Sequence, residues 1–369
     1  MADSVMCELV SPIVRRGVHL GWIGRRSVSE LPESHISDAR GEWQLAKAVY
    51  LPELLTDIRS FESQMEKSYE LMERTLDGES VVDLLAEAYF QDRLNDDFQI
   101  TTSYVDQSDQ QGIEKIEFET THGGKVYEMW MKASWLSFDE EDASMRFRFS
   151  FGNEGYEDVA GDFQRELLTG ELQQRLFPES ELITANDTLH ALIKATTGLD
   201  RLAFVERIVY FNSPNGGAQF HHDVERGHDG VVYAQLFGST AWLALPKTEL
   251  IAQVRKFLNR QDAYALVADS LDQSEFVYLQ ENCTPDFVRC YLDESDNEPL
   301  EKLINRTPAF FQQLIEQGFA YILEPGDAIL LPQASIDHCC WHAVFSLDDY
   351  PGEALSFAIR DYPVIHESV

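Results

Sequence analysis

Gln219-Phe220-His221-His222-Asp223 holds the most informative spacing in this chain. On extended backbone, residues i and i+2 point to the same face, so a strand here brings one imidazole (His221) and one carboxylate (Asp223) together. A nitrogen ligand from a distant strand would complete two histidines and one carboxylate, the facial set that binds non-haem Fe(II) and leaves coordination positions open. His342 is the candidate, because Trp341-His342-Ala343-Val344-Phe345-Ser346 reads as a strand. It follows the turn Glu324-Pro325-Gly326-Asp327 and the short strand Ala328 to Leu331. A His-x-Asp triplet alone is a weak signal in a chain with 10 histidines. His338 is a rival ligand. His342 is preferred because Ala343-Val344-Phe345 continues as strand, whereas Ser335-Ile336-Asp337 has loop composition. His222 and His228 read as surface or hydrogen-bonded histidines, and Cys339-Cys340 as small buried hydrophobes rather than thiolate ligands.

Outward from this stretch the sequence is strand-rich at Ala203 to Phe211, Val231 to Leu245, Tyr321 to Leu331 and His342 to Arg360, with a mostly helical, acidic insert at about residues 247–318. Strands separated by a long helical excursion imply a non-local β architecture with the insert packed outside. In order, strand, His-x-Asp, the hairpin-like Gln235-Leu236-Phe237-Gly238-Ser239-Thr240-Ala241-Trp242, insert, Pro-Gly-Asp and Trp-His-Ala-Val, the region Leu202 to Arg360 resembles the JmjC-like branch of the cupin superfamily. The resemblance implies an α+β chain with a double-stranded β-helix (jelly-roll) core. It also implies the cofactors Fe(II) and 2-oxoglutarate, and hydroxylation of an unactivated C–H bond in a protein side chain, an amino acid or a small natural-product intermediate. Halogenating relatives in the wider class replace the carboxylate, so Asp223 favours hydroxylation or another C–H oxidation.

Two features depart from that family. The stretch from Pro-Gly-Asp to the distal histidine is longer than usual, which is what admits His338. Where many members carry a lysine for the distal carboxylate of 2-oxoglutarate, two residues past the glycine matching Gly238, this chain has Thr240. Arg360 is the expected replacement: alternation along Leu355 to Arg360 puts Ser356, Ala358 and Arg360 on one face and Leu355, Phe357 and Ile359 on the other. A guanidinium fork matches a carboxylate, and Thr240 is expected to add a hydrogen bond. Two alternatives stay open: a metal-dependent cupin enzyme that does not use 2-oxoglutarate, and a non-catalytic cupin-fold binding module.

Residues 1–200 read as a separate helical and antiparallel-strand region preceding a core at 201–369. Leu54, Ile58, Phe61, Met65, Tyr69, Met72 and Leu76 recur at steps of three and four and predict a helix over Pro52 to Leu76, stopped at Asp77-Gly78, with Ser80 capping a second helix through Tyr89. From Phe98 to Phe151 the period becomes two, clearest in Met145, Phe147, Phe149 and Phe151, with a hairpin at His122-Gly123-Gly124. Helical patterns return at Phe163 to Leu176 and Asp187 to Thr197. Trp130, Trp135, Phe147 and Phe149 are expected in the core.

The 369 residues, 44% hydrophobic and 11% aromatic, supply a substantial core, and 64 acidic against 29 basic side chains give a net charge of −35. Such a surface repels phosphate backbones, so nucleic acid and anionic membrane are excluded as expected partners and a basic peptide or a small molecule suits it better. Five cysteines, Cys7 among them, show no paired C-x-x-C spacing. With Asp3 and Glu8 interrupting the first residues and no run of about 18 apolar residues, the expectation is a cytoplasmic protein without an anchor. The sequence does not decide the oligomeric state.

Overall fold

The computed structural model describes residues 10–15, 18–24, 35–108, 111–136, 146–153, 163–214, 216–225, 227–294 and 297–362. Asp3, Cys7, Glu8 and Met145 lie outside the described residues. The strands are β1 (Val10–Arg15), β2 (Val18–Gly24), β3 (Val49–Leu51), β4 (Gln99–Ser108), β5 (Gln111–His122), β6 (Lys125–Leu136), β7 (Arg146–Asn153) and β8 (Leu202–Asn212). They continue as β9 (Gly217–His221), β10 (Gly230–Phe237), β11 (Thr240–Pro246), β12 (Ala320–Leu323), β13 (Ala328–Ser335), β14 (His338–Ser346) and β15 (Gly352–Asp361).

All described pairings are antiparallel. One large sheet runs β3-β13-β10-β15-β8-β7-β6-β5-β4, and a smaller one runs β9-β14-β11-β12. The end of β13 pairs with the start of β14, through Gln333 with Cys339 and Ser335 with His338, and so passes the chain from the large sheet to the small one. Alternation explains how the two sheets face each other. Val231 and Tyr233 of β10, Ile329 and Leu331 of β13, Trp242 and Ala244 of β11, and Val344 of β14 pack into one shared cluster. The intervening residues point the other way. Val232, Ala234, Leu330 and Phe357 join a core with the N-terminal helices, whereas Leu243, Leu245, Ala343 and Phe345 join one with the insert helices. Both faces of these strands are therefore covered, which is why β10 and β11 are buried almost throughout.

The meander predicted from Phe98 is β4 to β7, and its β5–β6 hairpin turns on Gly123 and Gly124 at φ 59 and 78, the left-handed pair that a two-residue loop requires. β7 pairs directly with β8, so the meander prolongs the large sheet across the 200/201 position. Helices Phe163–Leu176 and Asp187–Thr197 form where their periodicity places them, the latter capped by Asn186 and stopped by Gly198 at φ 82. The helix predicted over Pro52 to Leu76 begins instead at Glu62, after a short 3-10 turn. Before it, Leu55 N–H donates to Gly326 O at 2.9 Å and Glu53 N–H donates to Asp327 Oδ1 at 2.8 Å, so this stretch is tied to the Pro-Gly-Asp turn and cannot close helical bonds. Ser80 does begin a second helix (Val81–Leu85), but the buried Glu114 carboxylate, accepting from Val81 N–H and Val82 N–H, supplies the cap. That helix ends at Leu85, and Ala88–Leu94 forms a separate one. The insert is helical from Lys247 to Glu316, apart from short connections. No helix among the described residues is long and apolar enough to cross a membrane.

Candidate metal centre

His342 on β14 is the direct antiparallel partner of His221 on β9. Residues facing each other across such a pair hold their side chains within contact range, and the two imidazole centroids are 4.2 Å apart. Asp223 lies two residues past the end of β9 rather than on it, so strand alternation does not place it. Its position comes from Gln333: the Asp223 N–H donates to Gln333 Oε1 at 3.3 Å, while Gln333 Nε2 donates to Cys340 O at 2.9 Å on the strand that carries His342. Gln333 is fully buried. The Asp223 carboxylate then stands 3.5 Å from His221 Nε2 through Oδ1 and 3.3 Å from His342 Nε2 through Oδ2. One donor atom from each of the three residues falls within a 4.8 Å group.

The far side of each ring fixes which nitrogen faces the carboxylate. His221 Nδ1 lies 2.7 Å from Gln219 O, and His342 Nδ1 lies 3.3 Å from Cys340 O. A carbonyl accepts only, so each Nδ1 carries a hydrogen, and in the neutral ring each Nε2 turns a lone pair toward Asp223. With both rings neutral, two lone pairs and a carboxylate aimed at one point repel one another, and a metal cation or a proton on an imidazole relieves this. Two nitrogens and one oxygen on one side fit a divalent metal such as Fe(II). The insert braces the ligand strand, since Asn305 Oδ1 accepts from Phe220 N–H at 2.8 Å. At the head of β9, Gly217 (φ 146) lies so close to β14 that an added Cβ would sit 1.9 Å from Val344 O.

A cavity of about 40 Å³ opens on the three ligands, lined also by Tyr210, Asn212, Tyr233, Trp242 and Ser356, with no cationic side chain among its walls. It adjoins a second cavity of about 250 Å³ through Asp223, Tyr210 and Ser356. The walls of that second space include Trp130, Lys132, Arg148, Glu206 and Glu225. Trp130 thus lies in a cavity wall, contrary to the expectation of core; Phe147 and Phe149 are buried as expected, and Trp135 stacks on Phe147. The side of the meander turned toward Asp223 is polar, and the Trp130 indole is accommodated by Gly152, its cross-strand partner, where a Cβ would meet the ring at 2.3 Å. A third cavity, about 870 Å³, lies between the N-terminal helices and the β10–β11 turn and contains none of His221, Asp223 and His342.

Ser356 and Ala358 line the cavities, and Leu355, Phe357 and Ile359 enter the opposite core, as alternation predicts. Arg360 is buried on the same face but farther along the strand. Its guanidinium sits 5.4 Å over the Tyr362 ring, and it is absent from the walls of both cavities. The Thr240 hydroxyl donates to Gln235 Oε1 at 2.9 Å and accepts from Trp242 Nε1 at 3.0 Å, and the Trp242 ring lies 5.3 Å from that of His342. His338 is at the mouth of the β13–β14 hairpin and takes no part in the three-ligand group. His222 accepts from Val224 N–H, and burial lowers its pKa. Cys339 and Cys340 are buried, and burial pushes the Cys339 thiol up to about 11. Sequence reasoning missed a second group, Glu206, Glu225 and the buried His228, around the larger cavity. Partial burial and the neighbouring Glu225 carboxylate raise Glu206 to about 8.

No protein-family model matches the chain, and no curated protein matches it in sequence. Among solved structures it is similar to a 2OG-Fe(II) oxygenase family oxidoreductase from Burkholderia pseudomallei, at TM-score 0.32 and 8% identity over 90% of this chain and 93% of that one. It is also similar to a prolyl-4-hydroxylase from Pseudomonas putida, at TM-score 0.27 and 8% identity over 89% of this chain and 100% of that one. Overlaps at these scores are too low to carry a function; the donor geometry is the ground for one.

Proposed function

We propose that this protein is an Fe(II)- and 2-oxoglutarate-dependent oxygenase acting on a C–H bond, with the two facing sheets read as a double-stranded β-helix. The observation that carries the reading is the convergence of His221 Nε2, His342 Nε2 and the Asp223 carboxylate, with each Nδ1 turned to a main-chain carbonyl. Bound iron with its cosubstrate would supply the oxidising chemistry. The chain's own contribution is to hold three donors on one side, keep both imidazoles in the Nε2-donor tautomer, and shield His342, which is 2% exposed, beneath Trp242. The polar wall of the larger cavity would position the substrate.

Arg360 and Thr240 enter the proposal as cosubstrate contacts to be tested. Anaerobic titration of the Fe(II)-loaded protein with 2-oxoglutarate, followed by the visible charge-transfer band of the chelate, tests the proposal. A band is expected in wild type and not in His342→Ala, and Arg360→Ala asks whether that side chain is needed. No band in iron-loaded wild type would overturn the reading. It would favour a metal-dependent enzyme without 2-oxoglutarate, an alternative supported by the lack of any cationic side chain around the smaller cavity.

A further inference from the structure

The second cavity, of about 250 Å³, is lined by charges of both signs. Lys132 on β6 and Arg148 on β7 come from the meander, while Glu206 on β8 and Glu225 beyond Asp223 come from the core. Lys132 and Arg148 influence each other and Glu206 electrostatically, yet among the described residues neither cation forms an ion pair within 4.0 Å with an acid. The Arg148 guanidinium is held instead by Nε–H donating to Ser134 Oγ at 3.0 Å, and the Lys132 ammonium is 5.7 Å from the centre of the Trp130 ring. Half-buried cations near one another without an anion between them are costly unless a ligand supplies the charge. Burial, then Arg148 and Lys115, lowers the Lys132 pKa, which agrees with that cost.

On β8, the strand paired with β7, the backbone is bent to present an acid. The β8–β15 register shifts between Phe357, paired with Arg207, and Ala358, paired with Val205, leaving Glu206 as the extra residue. It has φ 44, a left-handed conformation that L residues other than asparagine and aspartate seldom adopt. Bulges of this kind re-aim a side chain beside an active site. Here the bulge turns a carboxylate toward the cavity, where Glu225 and His228 offer further acceptor atoms within 4.8 Å.

We propose that this cavity binds the primary substrate, and that the substrate is a small zwitterion whose carboxylate lies on Lys132 and Arg148 and whose ammonium group lies on Glu206 and Glu225. The volume of about 250 Å³ is below the range usual for drug-sized ligands and suits a molecule of amino-acid size. Asp223 forms part of the wall, so a ligand held between these charges lies beside the metal ligands. The inference rests on the oxygenase reading only in calling the ligand a substrate; the binding site itself does not need iron.

The test titrates the full-length protein, metal-free and anaerobically Fe(II)-loaded, with the proteinogenic amino acids, β-alanine and 4-aminobutyrate, following Trp130-sensitive fluorescence and the thermal midpoint. At least one should bind in one of the two forms. Its Kd should rise about tenfold or more in Lys132→Met and in Glu206→Gln, and should recover in part in Lys132→Arg. Blocking either end of the ligand, as the carboxamide or the N-acetyl derivative, should abolish binding. Binding by none of these ligands, or binding that Lys132→Met and Glu206→Gln leave intact, overturns the proposal. A 2-oxoglutarate band in a protein that binds no amino acid would remove the zwitterion site alone. Amino-acid binding without that band would remove the oxygenase reading alone.

Discussion

The small sheet and the large sheet face the same interior but are built to different ends. On the small sheet, β9 and β14 are paired so that two histidines oppose each other, with the insert helices bonded to the back of β9 through Asn305. Its two histidines are held from behind, since each imidazole has a carbonyl behind it. On the large sheet, the meander and β8 turn a polar face with separated charges and a bulge toward the same space. One wall is a fixed donor set. The other is a surface whose charges lie apart. On the proposed reading, metal placement and ligand choice reside on different strands, so each should be open to change without the other.

Three substitutions press on that division, in order of expected effect. His342→Ala, on the small sheet, should weaken Fe(II) binding by about three orders of magnitude, because two donors cannot replace three; anaerobic metal titration measures it. Retention of one equivalent of iron at wild-type affinity would mean that the ligand set is wrong. Gln333→Ala keeps every ligand but frees the Asp223 main chain and the Cys340 carbonyl. It should weaken Fe(II) by about 10- to 100-fold, the usual cost of losing an outer hydrogen-bond partner.

The third substitution tests the far side of the large sheet. Glu179 and Glu353 are buried against each other there, and burial raises both, Glu179 to about 7. Glu179 Oε2 and Glu353 Oε1 have no donor partner, so one carboxyl must keep its proton. Below the unfolded carboxylate pKa both states are protonated and the pair costs nothing. As pH rises toward 7 the unfolded chain releases protons that the folded chain retains, and stability falls across that window. Glu353→Gln should therefore stabilise the protein by on the order of 1–2 kcal/mol at pH 8, with the difference vanishing near pH 4, as read by denaturant unfolding. Iron affinity should not move, and a change in it would show that the two sheets are coupled.

How much the sequence makes legible depends on how local the cause is. Helices Phe163–Leu176 and Asp187–Thr197 carry their periodicity and stops within themselves, and the alternation of Leu355 to Ile359 sorts core from cavity correctly. Pro52 to Phe61 carries the same helical spacing yet is held by Asp327 and Gly326, more than 260 residues away in sequence. Strand continuity favours His342 over His338, but the geometric reason is the register with His221, which one sequence does not display. The polar wall is hidden in the sequence because Trp130 and Lys132 sit on a strand whose alternate residues Met129, Met131 and Ala133 are fully buried. The pairing of β7 with β8 brings that strand's other face into the cavity that Asp223 lines.

Gly217 gives the proposed metal centre a tolerance measured in a single methyl group. The Val344 carbonyl occupies the place where a side chain would begin, and φ 146 is open to glycine far more than to alanine. An alanine there would act as a wedge at one end of β9, with His221 at the other end and all three donor side chains chemically intact. Function could thus be silenced by spacing alone, leaving charge, ligands and surface unchanged.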